Sequence, residues 1–166
     1  MKRIARFEKV SKTQFTADFA DTFGYDGSAL YDTLTLPRRA TTGSAGYDFC
    51  TPVDITLAPG ETAKIPTGIR AWMEDGWVLK IYPRSGLGFK FRLQLNNTVG
   101  IIDSDYYHAQ NEGHIFIKVT NDTNEGKTVS LSAGDAFAQG IFLEYGITLD
   151  DDADGLRLGG FGSTGK

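Results

Sequence analysis

A single cysteine, Cys50, and only two histidines, His108 and His114, occur among 166 residues. One thiol excludes an internal disulfide and a multi-cysteine zinc site, and two imidazoles leave little room for a histidine metal cluster. Basic residues are not in excess: 17 Lys+Arg against 21 Asp+Glu give a formal net charge of −4. That balance argues against a protein held to nucleic acid by a general basic surface, while leaving local basic pockets open. No apolar run reaches the ~18 residues of a membrane span, and the start MKRIARFEKV lacks the apolar stretch of a signal peptide. At 40% hydrophobic and 23% charged residues the chain is still apolar enough to fold. The expectation is one soluble, cytoplasmic domain with one core.

What is abundant is glycine, 20 of 166 residues, about 12% against a usual ~7%. Glycine serves tight turns and places where backbone must approach a ligand. Short strand patterns dominate the rest. Trp77, Leu79 and Ile81 share one face at period two, as do Ile115, Ile117 and Val119. Further candidates are Val53 to Leu57, Thr62 to Ile65, Gly68 to Met73, Thr128 to Leu131 and Phe137 to Leu143. Turn sequences separate them, among them Ala58-Pro59-Gly60, Asp75-Gly76 and Ala133-Gly134-Asp135. Many short strands at such spacing indicate an all-β sandwich, jelly roll or barrel. One region differs: Phe15, Phe19 and Phe23, at i, i+4 and i+8 within 14–32, predict a short amphipathic helix ended by Gly24. From Asp150 an acidic linker leads to a glycine-rich tail without a core pattern, which reads as a mobile arm.

Five segments could carry chemistry. The tail Gly160 to Lys166 fits the first seven positions of a phosphate-binding P-loop, but the strand, hydroxyl and helix that loop requires are not supplied. Its glycines, Ser163 and Thr164 can still wrap an anion, and Phe161 is suited to stacking on a nucleobase. Pro83-Arg84-Ser85-Gly86-Leu87-Gly88 follows the Trp77 strand and offers an arginine fork and a hydroxyl to an oxyanion. Asn97 to Tyr106 reads as a hairpin whose apolar Ile101 and Ile102 lead into Asp103; a carboxylate there is more often a turn former than a base. Asp48 sits among apolar and aromatic residues in Ala45 to Phe49, and Gln139 ends Gly134 to Gln139. Each segment alone is bland.

Together, AGYDF, PRSGLG, NTVGIIDSDY, GDAFAQ and GGFGSTG resemble, in order, the five motifs of the trimeric deoxyuridine triphosphate nucleotidohydrolases, the dUTPases. The resemblance spans roughly residues 36 to 166. It implies a jelly-roll-like β subunit over 1–149, with an insertion at about 12–35, and an arm over 150–166. It also implies a homotrimer with shared active sites, in which the arm of one subunit closes a pocket built by others.

The implied reaction is hydrolysis of dUTP to dUMP and pyrophosphate with Mg²⁺ on the triphosphate. By resemblance, Asp103 activates the water that attacks the α-phosphate and accepts from the deoxyribose 3′-OH. Tyr106 packs under the sugar and excludes a 2′-OH; Asn97 and the hairpin at Gly100, Ile101 and Ile102 read the uracil edge. Arg84, Ser85, Gly86 and Gln139 meet the phosphates, and Asp48 lies near the metal, acting through water. In the arm, Phe161 stacks on uracil while Arg157, Gly162, Ser163 and Thr164 hold the γ-phosphate.

The chain departs from the family pattern in four places. Ala136 replaces the arginine of GDRIAQ, Arg157 stands one residue closer to the glycine pair, and Tyr107 to Glu112 lengthen the link after Tyr106. The fourth is the 12–35 insertion, which is also a candidate surface for a protein partner. Two other readings stand beside hydrolysis. A dCTP deaminase shares the fold and the arginine-serine segment but needs a dedicated glutamate and lacks the aromatic arm. A dUTP-sensing interaction protein would carry the same motifs.

Overall fold

The period-two segments of the sequence form strands, each within a residue or two of its expected ends. The computed structural model describes residues 1–155, 157 and 159. In chain order its elements are β1 (Ala5–Lys9), α1 (Lys12–Phe23), β2 (Tyr47–Cys50), β3 (Ile55–Leu57), β4 (Thr62–Pro66), β5 (Ile69–Met73), β6 (Trp77–Pro83), α2 (Ser85–Phe91), β7 (Leu93–Leu95), β8 (Gly100–Ile102), β9 (Phe116–Asn121), β10 (Val129–Leu131) and β11 (Ala136–Glu144). Two 3₁₀ turns, Ser28–Thr33 and Ser104–His108, complete them. The residues Phe161, Gly162, Ser163 and Thr164 lie outside those described.

The strands form open antiparallel sheets: a four-stranded one ordered β2-β11-β6-β8, a three-stranded one ordered β4-β9-β7, and the pairs β1-β5 and β3-β10. Among the described residues none of them closes into a barrel, so the architecture is sandwich-like. One apolar core joins the sheets, with Phe49, Leu79, Ile81, Ile117, Val119 and Phe137 essentially sealed from solvent. Each such side chain stabilises the fold by roughly 1.5–3 kcal/mol through burial.

Helix α1 forms where the phenylalanine spacing predicts it. Ser11 caps it, its Oγ accepting from the Gln14 N–H at 3.1 Å, and Phe15 and Phe19 face inward, fully buried. Gly24 ends it in the left-handed region, φ 78°, with its N–H donated to the Ala20 carbonyl at 2.8 Å, a conformation glycine adopts without strain. With Val10 and Leu34, Phe15 and Phe19 form a second, smaller core.

Two elements depart from the sequence expectation. The glycine-rich Ser85–Phe91 segment, to which the sequence pattern assigns no element, is helical; Leu87 and Phe91 pack against the main core and supply the stability that its glycines withhold. Ala5–Lys9 forms an extra strand, with Phe7 half-buried between Arg6 and Glu8.

Candidate active site

Two clusters of the expected site residues form, one at each end of β6. At the Pro83 end, Gln139 of β11 lies opposite both Asp48 of β2 and Tyr82 of β6. Its Nε2 donates to the Pro83 carbonyl at 3.1 Å. Gly46 allows that amide its place, because a Cβ there would stand 2.5 Å from Gln139 Oε1. Arg84 donates its backbone N–H to the Phe137 carbonyl at 3.2 Å and turns Nε toward Asp48 Oδ1 at 3.4 Å. Ser85 and Gly86 follow in the first turn of α2, both exposed. A cation, a hydroxyl and an amide therefore project from one end of the sheet, suited to phosphate oxygens.

The β7–β8 hairpin carries Asn97 at its exposed tip, with Thr98 in the left-handed region at φ 67°. Because Gly100 pairs with Ile81 and Ile102 with Leu79, the tip points toward the Pro83 end of β6, and of this segment only Asp103 lies at the other end. Gly100 lets the hairpin lie against β6: a Cβ there would be 3.0 Å from Ile81 Cβ. Ile102 is buried, Ile101 exposed. Asp103 immediately precedes the 3₁₀ turn, yet its side chain makes no capping hydrogen bond. The carboxylate is 48% exposed and accepts from Arg157 Nη2 at 2.5 Å, while Arg157 Nε donates to Asp105 Oδ1 at 2.8 Å. The guanidinium stands 5.7 Å from the Tyr106 ring centroid. Tyr106 is 2% exposed, so its ring is not open as the sugar floor while Arg157 lies there.

The Tyr106 hydroxyl donates to the His114 carbonyl at 2.7 Å and accepts from Asn111 Nδ2 at 2.8 Å. Burial pushes this phenol above its ordinary range; the Asn111 hydrogen bond and the Arg157 charge oppose that, and the Asp18 charge adds to it. It remains a donor at neutral pH.

The two clusters do not meet within one chain. Ile102 pairs with Leu79 near the start of β6, whereas Arg84 follows its last residue, Pro83. From Val78, one step beyond that pair, to Arg84 is six residues of extended chain, about 20 Å. A hollow of about 690 Å³ between the end of α1 and strands β3 and β4 contains none of the expected site residues.

As for a metal, no three His, Cys, Asp or Glu side chains gather among the described residues. Asp48, half-buried beside Arg84, is a single carboxylate. That donor set fits Mg²⁺ held chiefly by phosphate oxygens and water, the usual mode for this ion.

Sequence reasoning passed over Asp105, Asn111, His114 and Asp18. Only the pairing of distant segments reveals them; Asp18 and His114 stand 96 positions apart.

The sequence profile of the dUTPase family matches residues 32–165. The deoxyuridine 5′-triphosphate nucleotidohydrolase of Lactococcus lactis is 42% identical over 135 residues, 80% of this chain and 89% of that protein. The crystal structure of dUTPase from Streptococcus mutans superposes with a TM-score of 0.63 at 35% identity, covering 86% of this chain and 97% of that one. A mutant dUTPase from phage phi11 of S. aureus, described with a structural Mg(II) ion, superposes at 0.64. It covers 92% of this chain and 98% of that one, but at 18% identity it supports the fold alone. No helix among the described residues is long and apolar enough to cross a membrane. With the family profile matched over residues 32–165 and a relative of that family 42% identical over 80% of this chain, the chain belongs to the dUTPase family, the nucleotidohydrolases of deoxyuridine 5′-triphosphate.

Proposed function

We propose that this chain is a Mg²⁺-dependent dUTP diphosphatase that works as a homotrimer with shared active sites. The carrying observation is the placement of the two clusters at opposite ends of β6. Within one chain, about 20 Å of β6 backbone separates the strand position beside Asp103 from Arg84, which supports a site shared between copies. A second copy presenting its Arg84, Ser85, Gly86 and Gln139 to the first copy's Asp103 completes a site of nucleotide size.

In that site water attacks the α-phosphorus, the bond from phosphorus to the bridging oxygen breaks, and pyrophosphate leaves. Asp103 takes the proton the water loses, a role for which a positioned base contributes typically 10²–10⁴-fold. Its uncapped, half-exposed carboxylate leaves it available for this. Arg157 shifts from Asp103 to the γ-phosphate as the arm closes, with Gly162, Ser163 and Thr164 beside it and Phe161 on the uracil. Arg84 and the backbone stabilise the charge that develops. The chemistry a bound Mg²⁺ supplies is neutralisation of phosphate charge, with Asp48 holding it through water. Asn97 and the backbone at Gly100, Ile101 and Ile102 read the uracil edge, and the Tyr106 ring excludes a 2′-hydroxyl. Such an activity in the cytoplasm limits uracil incorporation into DNA and supplies dUMP for dTMP synthesis.

Pyrophosphate release measured with dUTP, dCTP, dTTP and UTP, with and without Mg²⁺, tests the reading. The expected result is turnover of dUTP alone, lost on chelation. Comparable turnover of the other three, or ammonia from dCTP, would overturn it.

A further inference from the structure

The two additions that set this sequence apart, the segment around α1 and the lengthened link after Tyr106, meet in space. Ser11, the cap of α1, donates both its N–H and its hydroxyl to the Glu112 carboxylate, each at 2.7 Å. About two helical turns further along α1, Asp18 Oδ2 lies 2.5 Å from His114 Nδ1. His114 is fully buried, and its Nε2 accepts the Gly68 N–H at 2.8 Å. The ring's proton therefore sits on Nδ1 and is donated to Asp18. Asp18 also accepts from Gln14 Nε2 at 2.8 Å.

The backbone carbonyl of His114 is the acceptor for the Tyr106 hydroxyl, and Asn111 binds that hydroxyl from the other side. Between them, Gly113 at φ 72° folds the link tightly: a Cβ would lie 2.8 Å from the Tyr106 carbonyl oxygen. The path from helix to ring is thus continuous: α1 holds the His114 imidazole, His114 holds the Tyr106 hydroxyl, and the hydroxyl fixes how deep the ring stands. Helix α1 precedes the residues 32–165 that match the family.

We propose that Asp18 and His114 are positioning residues for the sugar end of the active site, so that discrimination between deoxyribose and ribose depends on helix α1. This rests on the dUTP reading above. Excluding one hydroxyl by packing demands a ring held to a fraction of an ångström, and a ring that settles by about 1 Å no longer excludes it. Asp18 touches no substrate in this scheme; it acts through His114 and Tyr106.

The test measures kcat/KM for dUTP and UTP, with thermal melting alongside, in wild type and in Asp18→Ala, Asp18→Asn, Asn111→Ala and Asp21→Asn. Asp18→Ala leaves the Nδ1–H without its acceptor, and the UTP/dUTP ratio of kcat/KM rises by about tenfold or more, the change a ~1.4 kcal/mol loss of discrimination produces. Asp18→Asn keeps an accepting oxygen and stays within a few-fold of wild type. Asp21→Asn, on the same helix but outside the network, leaves the ratio unchanged. Asn111→Ala loosens the hydroxyl without touching helix packing and must raise the ratio in the same direction. A folded Asp18→Ala with the wild-type ratio overturns the proposal. So does an unchanged ratio in Asn111→Ala, whatever becomes of Asp18→Ala. Failure of the dUTP reading looks different, because wild type itself would not hydrolyse dUTP.

Discussion

Asp103 and Asp48 are both carboxylates beside an arginine, yet their settings give them different uses. Asp48 lies within β2, its backbone N–H donated to the Arg38 carbonyl at 2.9 Å and its side chain turned toward Arg84. Asp103 stands where a strand gives way to a 3₁₀ turn, extended at ψ 158° and spared from capping. In the proposed mechanism the second is the one that meets a water in front of a phosphorus, once Arg157 leaves it. Asp103→Asn keeps the shape and loses the base, so kcat should fall by about 10²–10⁴-fold with KM within a few-fold. Steady-state pyrophosphate release measures both, and turnover close to the parent's would remove Asp103 from the base role. Asp103, Arg84, Tyr106 and Gln139 could be proposed from the sequence because each sits in a short segment of distinctive order. The Asp105 contact to Arg157 spans 52 positions and that of Asp18 to His114 spans 96, and no local pattern encodes a pairing of that reach.

Among the elements, α1 was readable because three phenylalanines at a four-residue spacing need a helix to share one side. Helix α2 was not, since two glycines in four residues argue against a helix until Leu87 and Phe91 are seen to reach the core. Strand β1 escaped notice because its one inward phenylalanine lies in five residues otherwise charged or small. The attachment of α1 carries a pH signature. Burial pushes the Asp18 carboxyl up, but hydrogen bonds from His114 and Gln14 and the charge of Lys64 outweigh it and hold the carboxyl below its ordinary range. A depressed carboxyl contributes stability that is present above the unfolded value of about 3.9 and is lost as pH falls through the folded one. Urea unfolding should therefore find wild type more stable than Asp18→Asn at pH 7, with the difference shrinking below about pH 4. A difference that stayed constant across that range would detach Asp18 from the acid response.

For the molecule as a whole, the single chain leaves apolar surface uncovered. Ile101 beside the hairpin is exposed, as are Leu143, Tyr145, Ile147 and Leu149 along and beyond the end of β11, and Phe89 on α2 is 94% exposed. Apolar side chains left open along one run of chain suit contact with further copies. In the proposed assembly the sheet order links oligomer and chemistry: β6 keeps Asp103 and Arg84 apart, so each copy would hold two half-sites. The separation of the two proposed halves was not legible in the sequence; it follows from the register of Ile102 on Leu79.

Complementation between two inactive variants reads this arrangement. Asp103→Asn and Arg84→Ala chains, each purified alone, should hydrolyse dUTP at a small fraction of the parent rate. Co-expressed and mixed at random in trimers, they pair an intact Asp103 with an intact Arg84 from another copy in roughly one quarter of the sites. Recovery of activity toward that fraction is the predicted result. A mixture as inactive as its two components would contradict a site built across copies.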